Sequence, residues 1–271
     1  MNMFRKILKY PRLTQAYPQK PLPNSDRFVG RPVIDPQRCI RCGTCAAHCP
    51  SRAIDFTPDR PVGINLDECI FCGLCAELCP AGAASMSHAF ELAETSRERL
   101  RSAPLVITDT ALPAEALAGT GARLEARIRK IYGRSLQIRE VDAGSCNGCD
   151  YEINALNNPF NDIERFGVHF VASPRHADLL LVTGTATRNM ELALIKTWNA
   201  TPDPKLVVAV GACACSGGIF RDSYAARNGI DSLVPVDAYI PGCPPRPQAI
   251  LYGILKVLER REVRRQAGQG T

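Results

Sequence analysis

Eight of the thirteen cysteines fall in two runs that repeat each other 30 positions apart, and this pattern constrains the fold most strongly. In each run, two residues separate successive members of a cysteine triplet, and a fourth cysteine follows after three more residues, directly before a proline. Three closely spaced thiolates can surround one face of a metal cluster, but a fourth ligand must then come from elsewhere in the fold. The runs are Cys39, Cys42, Cys45 and Cys49 with Pro50, and Cys69, Cys72, Cys75 and Cys79 with Pro80.

This spacing is typical of proteins that hold two 4Fe–4S clusters, in which the fourth cysteine of each run binds the other cluster. It predicts cluster 1 on Cys39, Cys42, Cys45 and Cys79, and cluster 2 on Cys69, Cys72, Cys75 and Cys49. Paired Cys-x-x-Cys elements also bind zinc, but a tetrahedral site would leave the third cysteine of each run unexplained. The repeat also extends beyond sulfur, which favours iron–sulfur clusters. Ile34, Ile40, Gly43, Ala46 and Ala53 recur as Ile64, Ile70, Gly73, Ala76 and Ala83.

Length and composition agree with a cytoplasmic, two-domain protein. The chain has 271 residues, of which 45% are hydrophobic, and this is enough for two packed cores. Cysteines in ligand spacing indicate a reducing compartment rather than a disulfide framework. The first ten residues lack the apolar segment of a signal peptide, no twin-arginine motif follows, and no apolar run is long enough to cross a membrane.

The net charge of +6 is concentrated at the two ends of the chain. Met3, Phe4, Ile7 and Leu8 follow helical spacing among basic residues, which predicts a short amphipathic helix. Such a helix would bind anionic lipid or a membrane subunit, and a solvated terminus is the equal alternative. A nucleic-acid partner is not expected, because no recognition motif or aromatic–basic platform accompanies the charge.

The domain boundaries are predicted from shifts in composition. We expect a basic segment over 1–30, a two-cluster module over 31–92, a linker over 93–122, an α/β domain over 123–259 and a basic tail over 260–271. In the α/β domain, short β-rich runs alternate with helical segments, which indicates an open parallel sheet of flavodoxin-like type. The predicted strands are Leu136–Val141, Val168–Val171, Leu179–Val182, Leu206–Val210 and Ala238–Ile240. One predicted helix contains Leu124–Ile131, and the others span Asn154–Asn158, Asn189–Trp198 and Pro247–Glu259.

The remaining cysteines follow three of these strands. Cys146 and Cys149 follow the first, Cys213 and Cys215 follow the fourth, and Cys243 follows the fifth. Ligands of an open α/β sheet collect beyond the carboxyl ends of its strands. We therefore predict a third 4Fe–4S cluster at that edge, held by Cys146, Cys149, Cys243 and one of the remaining two cysteines. Glycines around these cysteines suit loops that turn tightly beside a cofactor.

Four motifs in the second half resemble the small-subunit family shared by respiratory complex I and the membrane-bound, energy-converting nickel–iron hydrogenases. They are Asp142–Glu152, Ser173–Asp178, Gly211–Gly218 and Val234–Pro245. The N-terminal part is similar to the two-cluster ferredoxin subunit of the same complexes, particularly that of formate hydrogenlyase. The chain therefore resembles a fusion of two neighbouring electron-transfer subunits.

The resemblance implies that Cys146, Cys149, Cys213 and Cys243 bind cluster 3 and that Cys215 is not a ligand. Complex I has two adjacent cysteines where this chain has Cys146 and Cys149 two residues apart, so the spacing resembles the hydrogenase branch. Glu152 stands where both branches have an acidic residue; it is a candidate proton relay or a carboxylate that stabilises a helix start. Arg41 departs from the small residue that ferredoxins commonly place between the first two cysteines.

The resemblance also implies the partners and the place of the protein. It predicts a peripheral subunit on the cytoplasmic face of the inner membrane, bound to a large subunit, membrane-arm subunits and an electron-donor subunit or ferredoxin. Electrons would pass through three 4Fe–4S clusters to a nickel–iron large subunit. The alternatives are a complex I-like quinone reductase module and a free-standing ferredoxin-type carrier.

Overall fold

The structure is a computed structural model that describes Lys9, residues 13–18, Lys20, and residues 28–101 and 120–268. The predicted N-terminal helix around Met3–Leu8 lies outside the described residues, as does the greater part of the predicted linker. In the predicted basic tail, the backbone of residues 260–268 belongs to the last helix. Within the described part of the chain, no helix is both long and apolar enough to cross a membrane.

The N-terminal module consists of two similar halves. The first contains β1 (Pro32–Ile34), α1 (Thr44–Ala47) and β2 (Ile54–Asp55), and the second contains β3 (Gly63–Ile64), α2 (Leu74–Glu77) and β4 (Ala84–Met86). Each strand pairs antiparallel with a strand of the other half, so that β1 pairs with β4 and β2 pairs with β3. The 30-residue sequence repeat is therefore a structural repeat in which the halves interlock.

The C-terminal domain contains five parallel strands. They are β5 (Leu136–Asp142), β6 (Val168–Phe170), β7 (Leu179–Thr183), β8 (Leu206–Val210) and β9 (Ala238–Ile240), hydrogen-bonded in the order β6-β5-β7-β8-β9. Every residue of the neighbouring strands β7 and β8 is buried, as expected for a parallel sheet covered on both faces. Each strand lies within one residue of its predicted bounds.

Helices cover both faces of this sheet. They are α3 (Arg97–Arg101), α4 (Thr120–Tyr132), α5 (Gly148–Ala155), α6 (Glu191–Ala200), α7 (Gly211–Ser216) and α8 (Pro247–Gly268). The predicted helix Asn154–Asn158 is misplaced, because α5 begins at Gly148 and ends at Ala155. Cys149, Cys213 and Cys215 belong to the helices α5 and α7, and not to the loops that the glycines around them predict.

The two modules share one hydrophobic core. Ile34, Ile64 and Leu66 of the N-terminal module belong to the same buried cluster as Val182 and Val207 of the sheet. The first part of the predicted linker contributes to this packing, because Leu100 of α3 belongs to the cluster and Glu94 forms a backbone bridge with Tyr239. The N-terminal module is therefore seated directly on one face of the α/β domain.

Candidate metal-cluster sites

The first predicted set of cysteines comes together in the N-terminal module. The Cys45 sulfur lies near enough to those of Cys39 and Cys42 for their charges to interact, and Cys79 interacts in the same way with Cys42. The backbone N–H of Ala83 donates to the Cys79 sulfur at 3.2 Å. Cys79 thus faces the triplet of the other run, as the exchange of fourth cysteines requires.

The second set lies close to the first. Cys69 has charge interactions with Cys75, Cys49 and Cys72, so all four sulfurs of the set are neighbours. The same four cysteines line a mostly apolar cavity together with Ile54, Ile64, Ile70, Leu74 and Met86. Backbone N–H groups of Ala53 and Phe71 donate to the sulfurs of Cys49 and Cys69 at 3.3 and 3.4 Å. Hydrogen bonds of this kind stabilise negative charge on a cluster's sulfur ligands.

The third set lies at the carboxyl edge of the parallel sheet. Cys149 has charge interactions with Cys213, Cys243 and Cys146. Gly211, at the start of α7, has φ of +87°, and a β-carbon there would lie 2.5 Å from the Cys149 sulfur. Only glycine allows this backbone to pass so close to the ligand set. Residues separated by 97 positions in the sequence, Cys146 and Cys243, therefore meet at one site.

Cys215 lies near this set, since its thiol has a charge interaction with Cys149, but it points away from the other three cysteines. Its side chain is fully buried, and its sulfur lies 3.8 Å from the backbone oxygen of Ala209 and 3.7 Å from that of Ile240. The thiol thus donates into the sheet, while the neighbouring Cys213 interacts with Cys243 and Cys146. The geometry favours Cys213 as the fourth ligand of the third set.

The chemistry of these thiols fits iron–sulfur clusters. Burial raises the pKa of Cys69 to about 12 and the pKa values of Cys75 and Cys213 to about 11, and neighbouring thiols add to each shift. Four thiolates crowded in such a place need a positively charged centre to offset their repulsion and desolvation. Within the described residues, no three His, Cys, Asp or Glu side chains close around a single metal ion.

Two carboxyl groups support the loop between β5 and α5. The backbone N–H groups of Gly144 and Ser145 both donate to Asp142 at 2.8 Å. Asp150 accepts hydrogen bonds from the hydroxyls of Ser145 at 2.7 Å and Thr183 at 2.9 Å. Burial and a hydrogen bond with Asp150 raise the pKa of Glu140 to about 8. At neutral pH the proton shared by Glu140 and Asp150 is therefore held by Glu140.

A cavity of about 630 Å³ adjoins the third set and contains the predicted Glu152. Its lining includes Cys243, Phe71 and Phe90. Burial raises the pKa of Glu152, and the charge of Arg246 opposes this shift. The Arg246 guanidinium lies 4.8 Å from the ring centre of Phe28 and 4.6 Å from that of Phe90. Glu152 therefore faces a partly desolvated space beside a fixed cation.

The three sets follow one another in space. Cys75 of the second set has charge interactions with Cys45 of the first, and Cys243 of the third set interacts with Cys72 of the second. The set with Cys69, Cys72, Cys75 and Cys49 therefore lies between the other two. The residue pattern predicts the first two sets and three members of the third, and the family resemblance adds Cys213, but neither predicts this spatial order.

An ion-pair network fixes the second set against the α/β domain. Asp67 is fully buried and accepts from Arg97 at 3.1 Å and from Arg101 at 2.9 Å. Arg97 also binds Asp231 at 3.1 Å, and Arg221 pairs with Glu68, directly before Cys69. The sequence does not predict this network. Its one local signal is the acidic pair Asp67–Glu68, which replaces Gln37–Arg38 of the first repeat.

Both parts of the chain are similar to known protein families. Residues 146–257 match the family model described as the 20 kDa subunit of NADH ubiquinone oxidoreductase, and residues 31–86 match that of a 4Fe–4S dicluster domain. Over 142 residues the chain is 51% identical to the "Probable membrane-bound hydrogenase subunit mbhJ" of Pyrococcus furiosus. That alignment covers 51% of this chain and 84% of the relative.

Two further relatives are subunits of a formate hydrogenlyase and of an NADH-quinone oxidoreductase. Formate hydrogenlyase subunit 7 of Escherichia coli is 50% identical over 137 residues, which cover 51% of this chain and 54% of that protein. An NADH-quinone oxidoreductase subunit of Geobacter metallireducens is 50% identical over 112 residues, which cover 41% of this chain and 65% of that protein. The chain thus spans only about half the length of the formate hydrogenlyase subunit.

Proposed function

Since the chain belongs to the family of the 20 kDa subunit of NADH ubiquinone oxidoreductase and carries a 4Fe–4S dicluster domain ahead of it, we propose that it is the electron-transfer subunit of a membrane-bound hydrogenase complex. The observation that carries this proposal is the succession of three four-cysteine sets, linked by the neighbouring pairs Cys45–Cys75 and Cys72–Cys243. A succession of redox centres is what electron transfer across a subunit requires.

The ligands in this proposal are the three sets described above. Cys39, Cys42, Cys45 and Cys79 hold cluster 1, Cys69, Cys72, Cys75 and Cys49 hold cluster 2, and Cys146, Cys149, Cys213 and Cys243 hold cluster 3. When bound, each 4Fe–4S cluster accepts and donates one electron at a time. The chain supplies the thiols of all three sets, backbone N–H groups that donate to Cys79 of the first set and to Cys49 and Cys69 of the second, and a mostly apolar lining around the second set.

The architecture and domain boundaries belong to the same proposal. Counted within the α/β domain, the strands lie in the order 2-1-3-4-5, the order of flavodoxin-like sheets. We take residues 31–92 as the two-cluster domain and residues 123–259 as the small-subunit domain, with a linker between them. The first residues of that linker, Glu94 and α3, are packed against both domains.

The hydrogenase assignment, rather than a quinone reductase, rests on the Cys-x-x-Cys spacing of Cys146 and Cys149, which resembles the hydrogenase branch. A complex I-like quinone oxidoreductase is the second candidate, because the same half of the chain is 50% identical to the NADH-quinone oxidoreductase subunit of Geobacter metallireducens. A free-standing carrier is disfavoured, because a soluble carrier has no need of an α/β domain with a cluster at its edge.

The partners follow from the exposed groups around cluster 3. Cys146 and Cys243 are exposed, and so is Tyr151, two residues after Cys149. We propose that a large subunit covers this face and holds the nickel–iron centre, that membrane-arm subunits anchor the assembly, and that the chain is peripheral on the cytoplasmic face. Glu152, in the cavity beside Cys243, is the proposed proton relay towards that large subunit.

Metal analysis of the assembly purified with this chain tests the proposal. A hydrogenase partner predicts stoichiometric nickel and hydrogen evolution driven by a low-potential electron donor. Absence of nickel together with quinone reductase activity would support the second candidate. A chain that purifies fully loaded, alone and monodisperse would support the free carrier.

A further inference from the structure

One segment of the α/β domain reaches from the third cysteine set to the second. It consists of α7 and the turn that follows it, residues 211–221, and we call it the bridging segment. The helix carries Cys213, a member of the third set. At its start, the backbone N–H of Ala212 donates at 2.8 Å to the carbonyl of Gly242, the residue before Cys243. The bridging segment therefore begins beside two ligands of cluster 3.

The end of α7 contacts the loop that leads into the second set. Ser216 is fully buried, and its hydroxyl lies 2.7 Å from the backbone carbonyl of Asp67. The same hydroxyl is 3.2 Å from the carbonyl of Ala212, one turn earlier in the helix, and accepts from the N–H of Gly218 at 3.3 Å. A hydroxyl has one proton to donate, and the shorter contact assigns it to Asp67. Asp67 precedes Cys69 by two residues, so one hydroxyl joins the parts of the chain that carry the two ligand sets.

The last residue of the bridging segment contacts the second set at another place. Arg221 has a largely buried side chain and pairs with Glu68, directly before Cys69. Its guanidinium also donates at 3.3 Å to the carbonyl of Ser51, two residues after Cys49. The planar guanidinium can contact both acceptors at once. Arg221 therefore connects the flanks of two cluster 2 ligands that come from different halves of the N-terminal module.

Burial distinguishes these contacts from a neighbouring one that also joins the two modules. Ser51, Asp67 and Glu68 are all buried, so breaking their contacts would leave a carbonyl or a carboxylate unpaired and away from water. The pair of Arg52 and Asp222, at 2.9 Å, has side chains that are 65% and 57% exposed. Exposed ion pairs contribute little, so we expect the buried contacts to fix the junction.

We propose that Ser216 and Arg221 are positioning residues that fix the separation of clusters 2 and 3. The step that they serve is the transfer of one electron between these clusters, in which one is oxidised, the other is reduced and no bond forms or breaks. Such a transfer slows steeply as the separation grows, so a segment anchored beside ligands of both clusters keeps its rate constant. This inference rests on the proposed function and names the residues that hold two of its centres together.

The test uses the full chain, reconstituted with iron and sulfide and fully reduced. EPR measures the magnetic interaction between clusters 2 and 3, which also falls steeply with their separation. Ser216→Ala should weaken or abolish the interaction, and Ser216→Thr, which keeps the hydroxyl, should restore it. Arg221→Lys should weaken it as well, because an ammonium can pair with Glu68 but lacks the planar fork that also contacts Ser51.

Two matched controls remove contacts of the same kind that do not hold the bridging segment. Ser232→Ala removes a hydroxyl that donates to the Gly229 carbonyl at 3.1 Å within the α/β domain. Arg52→Gln removes the exposed pair with Asp222. Both controls should keep the wild-type magnetic interaction. If they weaken it as much as Ser216→Ala does, the inference is overturned, because any disturbance of the fold would then have this effect.

Hydrogen exchange in the loaded wild type tests the same junction without a variant. The amides of residues 66–69 and 212–218 should exchange at rates within about threefold of each other, because segments joined by buried contacts open as one unit. Rates that differ by more than about tenfold would overturn the inference, since the two parts would then open independently.

Iron content separates failure of this inference from failure of the proposed function. A wild-type chain that does not hold three clusters contradicts the proposed function. A fully loaded chain overturns only the positioning inference if its reduced clusters 2 and 3 do not interact, or if Ser216→Ala and Arg221→Lys leave their interaction unchanged. Loss of clusters 2 and 3 together in Ser216→Ala, with cluster 1 retained, would support the inference. Loss of cluster 1 as well would overturn it, because the hydroxyl would then support the whole fold and not this junction.

Discussion

Two cysteines in one short helix have opposite environments, and their serine variants should behave differently. Cys213 interacts with Cys243 and Cys146, whereas the Cys215 thiol faces two backbone carbonyls of the sheet. We expect Cys213→Ser to lose or convert cluster 3, because a serine oxygen is a poor substitute for a soft thiolate ligand. Cys215→Ser should keep all three clusters, and its hydroxyl can donate to the same carbonyls, so stability should change by no more than about 1 kcal/mol.

The measurement is EPR of the reduced protein together with an iron assay on both variants. Loss of cluster 3 in both, at equal iron content, would contradict the assignment of Cys213. Intact cluster 3 in Cys213→Ser with loss in Cys215→Ser would assign the ligand to the buried thiol instead.

Arg41 should raise the potential of cluster 1 above that of cluster 2. Reduction adds a negative charge, which the guanidinium of Arg41, a residue between Cys39 and Cys42 in the sequence, stabilises, while Phe71 at the equivalent position in the second run supplies no charge. Arg41→Gln keeps a side chain on the same left-handed backbone and should lower the potential of cluster 1 by roughly tens of millivolts, less at high salt. Redox titration followed by EPR measures it, and Arg175→Gln, at an exposed position before β7 in the α/β domain, is the control. An unchanged cluster 1 potential in Arg41→Gln would contradict the prediction.

At the scale of elements, α3 holds the second half of the N-terminal module against the sheet. Asp67→Asn removes the buried charge that Arg97 and Arg101 share. Removing one partner of a buried ion pair costs about 3 kcal/mol or more, so the midpoint of thermal unfolding should fall by roughly 5–10 °C. Cluster 2, whose ligand Cys69 follows two residues later, should lose iron first.

Arg99→Ala on the same helix is the matched control for this variant. Its contact with Glu94 is long, at 3.8 Å, and the Arg99 side chain is 69% exposed, so its loss should cost less than about 1 kcal/mol. Calorimetry and the rate of iron release compare the two variants. Equal midpoints would mean that the buried network does not fix the module.

The strands and helices differ in how clearly the pattern of apolar residues in the sequence predicts them. Runs such as Leu206–Val210 predict their strands closely, because burial on both faces makes the whole run apolar. Helix α5 is misplaced because it begins inside the ligand loop at Gly148 and buries only Ile153 of its eight residues, so it has little apolar periodicity.

The candidate site also has features that local sequence patterns predict and features that they do not. Ligand spacing along the chain predicts the first two cysteine sets, whereas the third is predicted from the order of the strands, with Cys213 chosen over Cys215 only by the family resemblance. Arg97 and Asp231 are 134 residues apart, and no local pattern pairs them. The order of the three sets likewise depends on how one module is seated on the other, which is a property of packing and not of spacing.

For the whole molecule, the loaded chain should contain close to twelve iron atoms and as many sulfides, about four of each per cluster. Twelve of the thirteen cysteines lie in three sets of four, which is the physical reason for this number. Colorimetric iron and sulfide assays on anaerobically reconstituted protein measure it. A value near eight, with only the N-terminal signals in EPR, would remove cluster 3.

The interlocked pairing of β1 with β4 and β2 with β3 has a consequence for the origin of the module. A single ancestral half could complete neither its sheets nor its fourth-ligand positions unless it met a second copy of itself. Gene duplication and fusion would then preserve a symmetric homodimer as one chain. Once the two copies were separately encoded, one could acquire Asp67, Glu68 and Phe71 while the other acquired Arg38 and Arg41. Two halves that were once equivalent would in this way have become chemically different, so that only one of them faces the α/β domain.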